Sequence, residues 1–309
     1  MTAEHGSSFR SVALPFAVFT IIWGSTWTVI RGQLGSVPGQ WSVTYRFAFA
    51  AVAMTLLARI KRRPLMLDAG GYRAAVFIGI AQFGVNFNSV YVAERHITSG
   101  VVATIFALLL IPNTLLGWLL LGQRPSPRFA LGSAIAVSGI TLLCVNELRS
   151  NGGSAAETLA GIGVTVIGLL SASFSNVYQA REHVRRHHLA SLLAWSMGFG
   201  ALIDAAFAWI TAGAPTIDSR AEYWAGLLYL ACAASALSFS LYFPVVRKIG
   251  PAKAAYSSVL VPIIAMAFST LLEGYRWTAI AAAGAVLTLA GMLLAMSSGR
   301  LSVQSPDAA

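Results

Sequence analysis

Long apolar runs, separated by short polar segments, dominate the hydropathy pattern of the chain. Each run is continuously apolar rather than alternating, which indicates helices and disfavours a transmembrane β-barrel. A bilayer core requires about 20 apolar residues in a helix. Runs of that length predict an all-α membrane protein with ten transmembrane helices: 12–30, 41–58, 72–92, 97–121, 128–146, 159–180, 190–212, 223–244, 252–272 and 276–296.

The pattern of the first five predicted spans returns in the last five. Pro112 corresponds to Pro262 at an offset of about 150 residues, and the glycines that follow each proline recur in the same order. An internal repeat of this kind decides the fold before any single motif does. We therefore divide the chain into a cytoplasmic N-terminus, a first five-helix repeat, a periplasmic linker, a second five-helix repeat and a cytoplasmic tail: 1–11, 12–146, 147–158, 159–296 and 297–309.

Composition and charge agree with a membrane location. The chain is 57% hydrophobic and 10% charged, whereas soluble domains carry about 25% charged residues. The net charge of +10 does not indicate a nucleic-acid partner, because the basic residues lie in short loops between apolar runs. About three quarters of the 21 Lys and Arg residues fall on one side, which predicts that both termini are cytoplasmic in an inner-membrane protein. Because each repeat has five spans, the second repeat is inverted, as in secondary transporters.

Polar positions on the spans predict a central cavity. Gln82, Asn86 and Ser89 follow the i, i+4, i+7 spacing of one helix face. Interhelical hydrogen bonding is the alternative interpretation of such a stripe, and any single serine usually bonds to its own helix. Side chains on spans 1, 6, 8 and 9 complete the predicted lining: Trp23, Ser25, Trp27, Ser175, Asn176, Tyr178, Ser238, Tyr242 and Tyr256.

Two charged residues, Arg46 and Asp204, fall inside predicted spans, where a charge is costly. The long Arg46 side chain could reach the interface. For Asp204, three hypotheses stay open: an ion pair with Arg46, a proton-coupling site, or an acid satisfied locally.

Proline and small residues predict how some helices pack. Pro112, Pro244 and Pro262 each remove a backbone hydrogen bond and predict helix kinks. Gly132 and Gly284 begin small-xxx-small patterns on spans 5 and 10, which allow close backbone approach. That approach could occur within one chain or at the seam of a homodimer.

The chain carries no motif of a soluble catalytic site. We find no G-x-S-x-G, no H-E-x-x-H and no P-loop, so we expect no enzyme, no cofactor and no direct use of ATP. His183, His187 and His188 lie in a basic loop that we expect to be solvated, without metal. Cys144 and Cys232 both lie in apolar runs, and we expect no disulfide between them.

Short motifs in a fixed order resemble the EamA branch of the drug/metabolite transporter superfamily. They are Trp23-Gly24-Ser25, Arg46-Phe47, Pro112 with Gly122-Gln123-Arg124, and Gly250-Pro251-Ala252-Lys253-Ala254. The resemblance implies ten helices, cytoplasmic termini, a central cavity and alternating access. It also implies export of amino acids, related metabolites or toxic compounds. The family usually has Glu where Gln123 stands, whereas Glu273 in the second repeat fits its pattern. The arginine at the Arg46 position is usually buried in this family, so the resemblance implies a structural or gating role for Arg46.

We therefore expect a secondary transporter that exports small metabolites, with amino acids as the first candidates. A cavity with amides, hydroxyls and aromatic rings suits a zwitterion or a neutral aromatic molecule. A multidrug or organic-cation exporter is the first alternative, and it would require a membrane-embedded acid that faces the cavity. A membrane enzyme or lipid-handling protein is the second alternative. The expected partners are a small-molecule substrate and the lipid bilayer.

Overall fold

The computed structural model describes residues 2–35, 37–122, 125–150, 154–249 and 257–297, and this part of the chain is helical with short connections. The first repeat contains α1 (Thr2–Gly32), α2 (Gly39–Ile60), α3 (Ala69–Ile78), a π-helical segment (Gly79–Val85), α4 (Asn86–Ala93), α5 (Ser99–Ala107), α6 (Leu110–Leu121) and α7 (Pro127–Ser150). The second contains α8 (Ala155–Gln179), α9 (Glu182–Arg185), α10 (Leu189–Ala212), α11 (Ala221–Leu228), a second π-helical segment (Tyr229–Leu237), α12 (Ser238–Ile249), α13 (Ser257–Leu272) and α14 (Ala279–Met296).

Nine stretches of the described chain are long and apolar enough to cross a membrane. They correspond to nine of the ten predicted spans, with boundaries that differ by a few residues. The remaining predicted span, 252–272, corresponds to the shorter apolar helix α13, Ser257–Leu272. Residues 252–256 lie outside the described part of the chain, so the tenth crossing stays a prediction.

Side chains cap the N-termini of several helices. Asp68 precedes α3 and accepts the Gly71 N–H at 2.7 Å, which lowers the pKa of the Asp68 carboxyl. Ser154 and Glu157 form a capping box at the start of α8. Thr278 caps α14 through the Ala281 N–H. These caps satisfy backbone donors that a helix end leaves without intrahelical partners.

The two repeats pack together through two extensive helix pairs, α2 with α10 and α7 with α14. The α7–α14 seam depends on glycine. A Cβ on Gly132 would lie 2.3 Å from Ala295 N, and a Cβ on Gly291 would lie 2.3 Å from Ala136 N. The small-residue faces of spans 5 and 10 therefore pack against each other within the chain. The alternative that these faces form a homodimer seam is wrong, because they are already occupied.

The three predicted kink positions behave differently. The fourth predicted span, 97–121, breaks at Leu108–Leu109 between α5 and α6, because Pro112 has no N–H for the Leu108 carbonyl four residues earlier. Pro244 and Pro262 lie inside helices that continue past them. The kinks expected at these two positions stay predictions.

Candidate substrate cavity

A cavity of about 380 Å³ lies between the two repeats. Its walls come from α1, α2, α4, α5, α6, α7, α8, α12, α13 and α14, together with both π-helical segments. It reaches Ser126 in the α6–α7 connection and Met296 at the end of α14. The charge pattern predicts that both positions face the cytoplasm, and we call this end of the molecule the inner end.

Six of the predicted lining residues line this cavity. Trp23, Trp27, Gln82, Asn86, Asn176 and Tyr242 all border it. They come from α1, the first π-helical segment, α4, α8 and α12, so residues distant in sequence meet here. Their contact with a substrate stays a prediction.

Three of the predicted serines lie outside the lining because other groups hold them. The Ser25 hydroxyl lies 2.7 Å from the Tyr229 hydroxyl. Ser89 faces α8, and a Cβ added to Gly168 would lie 2.9 Å from the Ser89 Cβ.

Ser238 donates to the Ala233 carbonyl of its own helix at 2.9 Å, as single serines in a helix usually do.

Two residues on α8 also lie away from the lining, and one candidate cannot be placed. Ser175 is fully buried and accepts a hydrogen bond from the Gln179 side chain at 3.2 Å. The Tyr178 ring packs on Phe77 with 4.4 Å between centroids. Tyr256 lies outside the described residues.

Aromatic rings form much of the cavity wall. Trp23 lies 5.6 Å from Phe239 and 5.0 Å from Tyr242 between ring centroids, and its indole N–H donates to the Ala234 carbonyl at 3.1 Å. Trp27 lies 5.2 Å from Phe106. Such rings offer flat apolar surface to an apolar or aromatic part of a ligand.

Polar atoms in the wall are buried without a hydrogen-bond partner. They are the donors Trp27 Nε1 and Arg46 Nη1 and the acceptor oxygens Gln82 Oε1, Asn86 Oδ1 and Asn113 Oδ1. An unsatisfied buried polar group costs about 1–3 kcal/mol. A ligand or water that supplies partners would remove this cost, so these atoms mark where polar contacts can form.

Arg46 is the one charged side chain among the described residues that line the cavity. It is 1% exposed, and its Nε donates to Ser235 Oγ at 3.2 Å. The guanidinium carbon lies 4.4 Å from the Phe87 ring centroid. Its Nη1 is buried and has no hydrogen-bond partner. Arg46 therefore does not extend to the interface, and it keeps one donor available for an anion.

Asp204 is hydrogen-bonded to Asn88 and not paired with Arg46. Its Oδ1 accepts the Asn88 side-chain N–H at 2.8 Å, it is 1% exposed, and it does not line the cavity. Arg46 and Asp204 form no ion pair within 4.0 Å. The hypothesis that they pair is wrong, since Asp204 packs beside the first π-helical segment, where a Cβ on Gly84 would lie 3.5 Å from it.

Contacts between the repeats close the opposite end of the cavity. Within the first repeat, Tyr91 donates to Gln33 Oε1 at 2.8 Å, and Gln33 in turn donates to the Tyr223 carbonyl of the second repeat at 3.5 Å. The Ser42 and Tyr223 hydroxyls are 2.8 Å apart. We call this the outer end, following the topology prediction. The cavity thus has an inner mouth and a closed outer end.

Sequence reasoning missed several cavity residues. Asn113 and Thr114 on α6 and Phe106 on α5 all line it. Asn113 directly follows Pro112, and an amide beside a helix break inside an apolar span was a signal that could have identified it. Phe106 has no such signal, because one aromatic residue in an apolar span is indistinguishable from a packing residue.

The described residues include no group of three or more His, Cys, Asp or Glu placed to hold a metal ion. His187 lies 3.6 Å from the Asp68 carboxylate through its Nε2, and Arg186 lies 2.5 Å from the same carboxylate. Cys144 and Cys232 are both free thiols. The polar chemistry of the cavity therefore comes from amides, hydroxyls, indoles and one guanidinium.

The sequence profile of the EamA-like transporter family matches this chain twice, over residues 11–145 and 159–297. The chain belongs to this family. The resemblance drawn from its short motifs is confirmed, and the protein is a multi-pass membrane transporter with a small-molecule substrate and a lipid environment.

Relatives of this EamA protein match over most of their length. Protein PagO of Salmonella typhimurium is 22% identical and aligns over 86% of either chain. A probable amino-acid metabolite efflux pump of Escherichia coli K12 is 24% identical, over 89% of this chain and 91% of its own. The uncharacterized inner membrane transporter YedA of E. coli K12 is 28% identical, over 84% and 81%. A crystal structure with a TM-score of 0.68 and 16% identity covers 93% of this chain and 96% of its own, which shows the shared fold.

Proposed function

We propose that this EamA protein exports small metabolites that carry a carboxylate, with α-amino acids as the leading class. The observation that carries the proposal is a cavity with one fixed charge, the cation Arg46, among its described lining residues. Its Nη1 donor has no partner, and a carboxylate is the anion that a guanidinium binds well.

The neighbouring acceptors favour a zwitterion over a simple acid. Gln82 Oε1 and Asn86 Oδ1 both lack partners, and an ammonium group has three N–H donors and no acceptor. The aromatic wall around Trp23 and Trp27 suits an apolar or aromatic side chain. A volume of about 380 Å³ lies within the range of about 300–1,000 Å³ that is typical of small-molecule sites.

The geometry disfavours the alternatives. An organic-cation exporter would need an acid facing the cavity, but Asp204 lies outside the lining and the local fixed charge is positive. A membrane enzyme would need paired acidic groups, and the described lining residues include no Asp or Glu. The name of one relative, a probable amino-acid metabolite efflux pump, supports the same class of substrate.

Alternating access between two inverted repeats is the proposed mechanism, in the inner membrane, as the name of the relative YedA supports. The π-helical segments support the repeat, because Gly79–Val85 and Tyr229–Leu237 occupy corresponding places in the two matched regions. The cavity with its inner mouth is the form that would load substrate from the cytoplasm. The outer end would then open for release. A homodimer, if one forms, uses a surface other than the α7–α14 seam.

Counterflow in proteoliposomes tests the substrate class. Vesicles loaded with one unlabelled amino acid are tested for uptake of the same labelled compound, beside a panel of other amino acids, their amides and cationic dyes. We expect uptake of zwitterions with apolar or aromatic side chains and little uptake of the amides, which lack the carboxylate. Preferred uptake of cationic dyes would refute the proposal.

Substitutions then assign the site. Asn86→Ala removes an unpartnered acceptor at the cavity, and we expect weaker binding of the ammonium group. Tyr178→Phe is the matched control, because Tyr178 lies outside the lining and its ring packing on Phe77 is kept. Equal transport by the two variants would show that the substrate binds elsewhere.

A further inference from the structure

A polar seal surrounds the start of α5 at the outer end, and both repeats contribute to it. Glu147 Oε1 accepts the Thr98 N–H at 2.8 Å, and Glu273 Oε2 accepts the Ser99 N–H at 3.3 Å. Glu273 also accepts the Ser99 hydroxyl. Two carboxylates therefore cap one helix N-terminus, where the helix dipole favours negative charge. We call Arg31, Glu94, Thr98, Ser99, Glu147 and Glu273 the outer seal.

Glu94 is the acid in the outer seal that has no such partner. It follows α4 directly, its side chain is 0% exposed, and both carboxyl oxygens are buried without a hydrogen-bond partner. Arg31 does not bind this carboxyl group. Its Nη1 donates instead to the backbone carbonyls of Glu94 and Ile97, the second at 3.2 Å.

The second repeat covers the segment that carries Glu94. Ala93 and Ile97, on either side of it, belong to one buried cluster with Met266 and Tyr275 of the second repeat. A Cβ on Gly161 of α8 would lie 2.8 Å from the His96 Cβ. The second repeat therefore covers this segment, and we expect water to reach the Glu94 carboxyl when the repeats separate at the outer end.

The charged and titratable groups that act on Glu94 come from four places. Arg31 approaches from α1, Arg46 from α2 and Glu273 from the end of α13, while Tyr91 lies on α4 itself. Burial raises the pKa of the Glu94 carboxyl well above its usual range, the negative charge of Glu273 adds to this rise, and the two arginines oppose it. An ionised carboxylate without donors would be costly in this position, so the closed seal holds Glu94 neutral.

We propose that Glu94 is a proton-binding site, and that the outer end of the transporter closes only when Glu94 has taken up a proton. This inference rests on the proposed alternating access, because it requires an outward-open form in which water reaches Glu94. In that form the carboxyl returns to an ordinary pKa of about 4.3.

The direction of the pH effect follows from linkage. The pKa of Glu94 is raised in the closed form, so the seal is most stable below the pKa of the open form. This stability is lost as the outer pH rises towards the closed-form pKa. Between the two pKa values the closed-to-open ratio falls about tenfold per pH unit, the slope expected for one proton. The proton enters from and returns to the outer side, so the step makes the gate pH-dependent without carrying a proton inwards.

A cysteine at the inner mouth tests the proposal without any substrate. The variant combines Cys144→Ser, Cys232→Ser and Met296→Cys, which places one thiol on the cavity wall near the cytoplasm. Its rate of reaction with a membrane-permeant maleimide is measured in vesicles while the outer pH is varied at fixed inner pH. We expect the rate to fall as the outer pH rises, because the inner mouth is exposed only while the outer end is closed.

Glu94→Gln keeps the shape of the neutral acid and cannot ionise. We expect the labelling rate in this background to stay at its low-pH value at every outer pH. Glu222→Gln is the matched control, since Glu222 is an exposed acid at the outer end of α11, and it should behave as the parent. A parent rate that does not change with outer pH, or a Glu94→Gln protein that keeps the parent's pH dependence, would overturn the proposal.

Glu273→Gln gives an independent result if Glu94→Gln does not reach the membrane. It removes the like charge beside Glu94 while an amide oxygen can still accept a hydrogen bond from Ser99. The midpoint of the pH dependence should move to lower pH, and an unchanged midpoint would also count against the proposal. Because labelling needs no transport, a failure here is distinct from a failure of the proposed substrate class.

Discussion

Gly132→Ala tests the packing that joins the two repeats. The added methyl group would lie 2.3 Å from Ala295 N and 2.5 Å from the Gly291 carbonyl oxygen. Ordinary contact between heavy atoms begins at about 3.5 Å, so the overlap is roughly 1 Å. The atoms involved are backbone atoms of α14, which no side-chain rotation can move away.

Two opposing effects determine the size of the change. Alanine favours a helix over glycine by about 1 kcal/mol, which acts in favour of the variant. Overpacking against a rigid neighbour costs typically about 1–3 kcal/mol and occasionally more. Because the overlap is with backbone in two places, we expect overpacking to exceed the gain. The net loss should lie at about 1–2 kcal/mol of unfolding free energy.

Thermal unfolding of the purified protein in detergent measures the effect, followed by the reactivity of the half-buried Cys144 after the exposed Cys232 has been replaced by serine. Gly163→Ala is the matched control, because Gly163 lies in the middle of α8 and a Cβ there meets nothing within 4 Å. We expect Gly163→Ala to unfold at the parental temperature or slightly above it. If Gly132→Ala is as stable as Gly163→Ala, the α7–α14 seam does not hold the repeats together as described.

Three further substitutions test the cavity and the helix break. Arg46→Gln should raise the half-saturating substrate concentration in counterflow about 10- to 100-fold, equivalent to the roughly 1.5–3 kcal/mol of a charged hydrogen bond; an unchanged value would exclude Arg46 as the carboxylate partner. Asp204→Asn should leave transport and its pH profile unchanged, because an amide oxygen can accept the Asn88 N–H that now lies 2.8 Å from Oδ1; a shifted profile would favour the proton-coupling hypothesis. Pro112→Ala should raise the unfolding temperature and slow substrate exchange in counterflow, because it restores an N–H that can reach the Leu108 carbonyl. Substrate exchange at the parental rate would show that transport does not depend on the helix break.

The helix positions were predictable because a membrane span leaves a simple signal of continuous apolar residues. Part of the polar stripe was predictable for a similar reason. Gln82 and Asn86 share a face at ordinary helical spacing, and both line the cavity. Ser89 lies three residues after Asn86 on α4, which turns it about 60° away from Asn86 on the helix surface. It faces Gly168 of α8, and the position of that neighbouring helix cannot be predicted from the stripe.

Side-chain partners that lie far apart in the chain could not be predicted from the sequence either. Asn88 and Asp204 are 116 positions apart and belong to different repeats. Their pairing depends on how α4 packs against α10, which a single sequence does not specify. The same applies to Arg46, because its contact with Ser235 joins residues 189 positions apart and holds the guanidinium at the cavity.

The break between α5 and α6 lies in the cavity wall, with lining residues on both sides of it. Of the two parts, α5 is almost wholly buried, with Gly100 so close to α13 that a Cβ would lie 2.5 Å from Met266 Sδ. By contrast, α6 leaves large apolar side chains such as Trp118 and Leu119 exposed, at 44% and 70%. A half-helix that lines the cavity, packs lightly and begins at a break is the element that can move at least cost. The acids of the outer seal accept hydrogen bonds from the start of α5, so we expect movement at the inner end of this span to occur in α6.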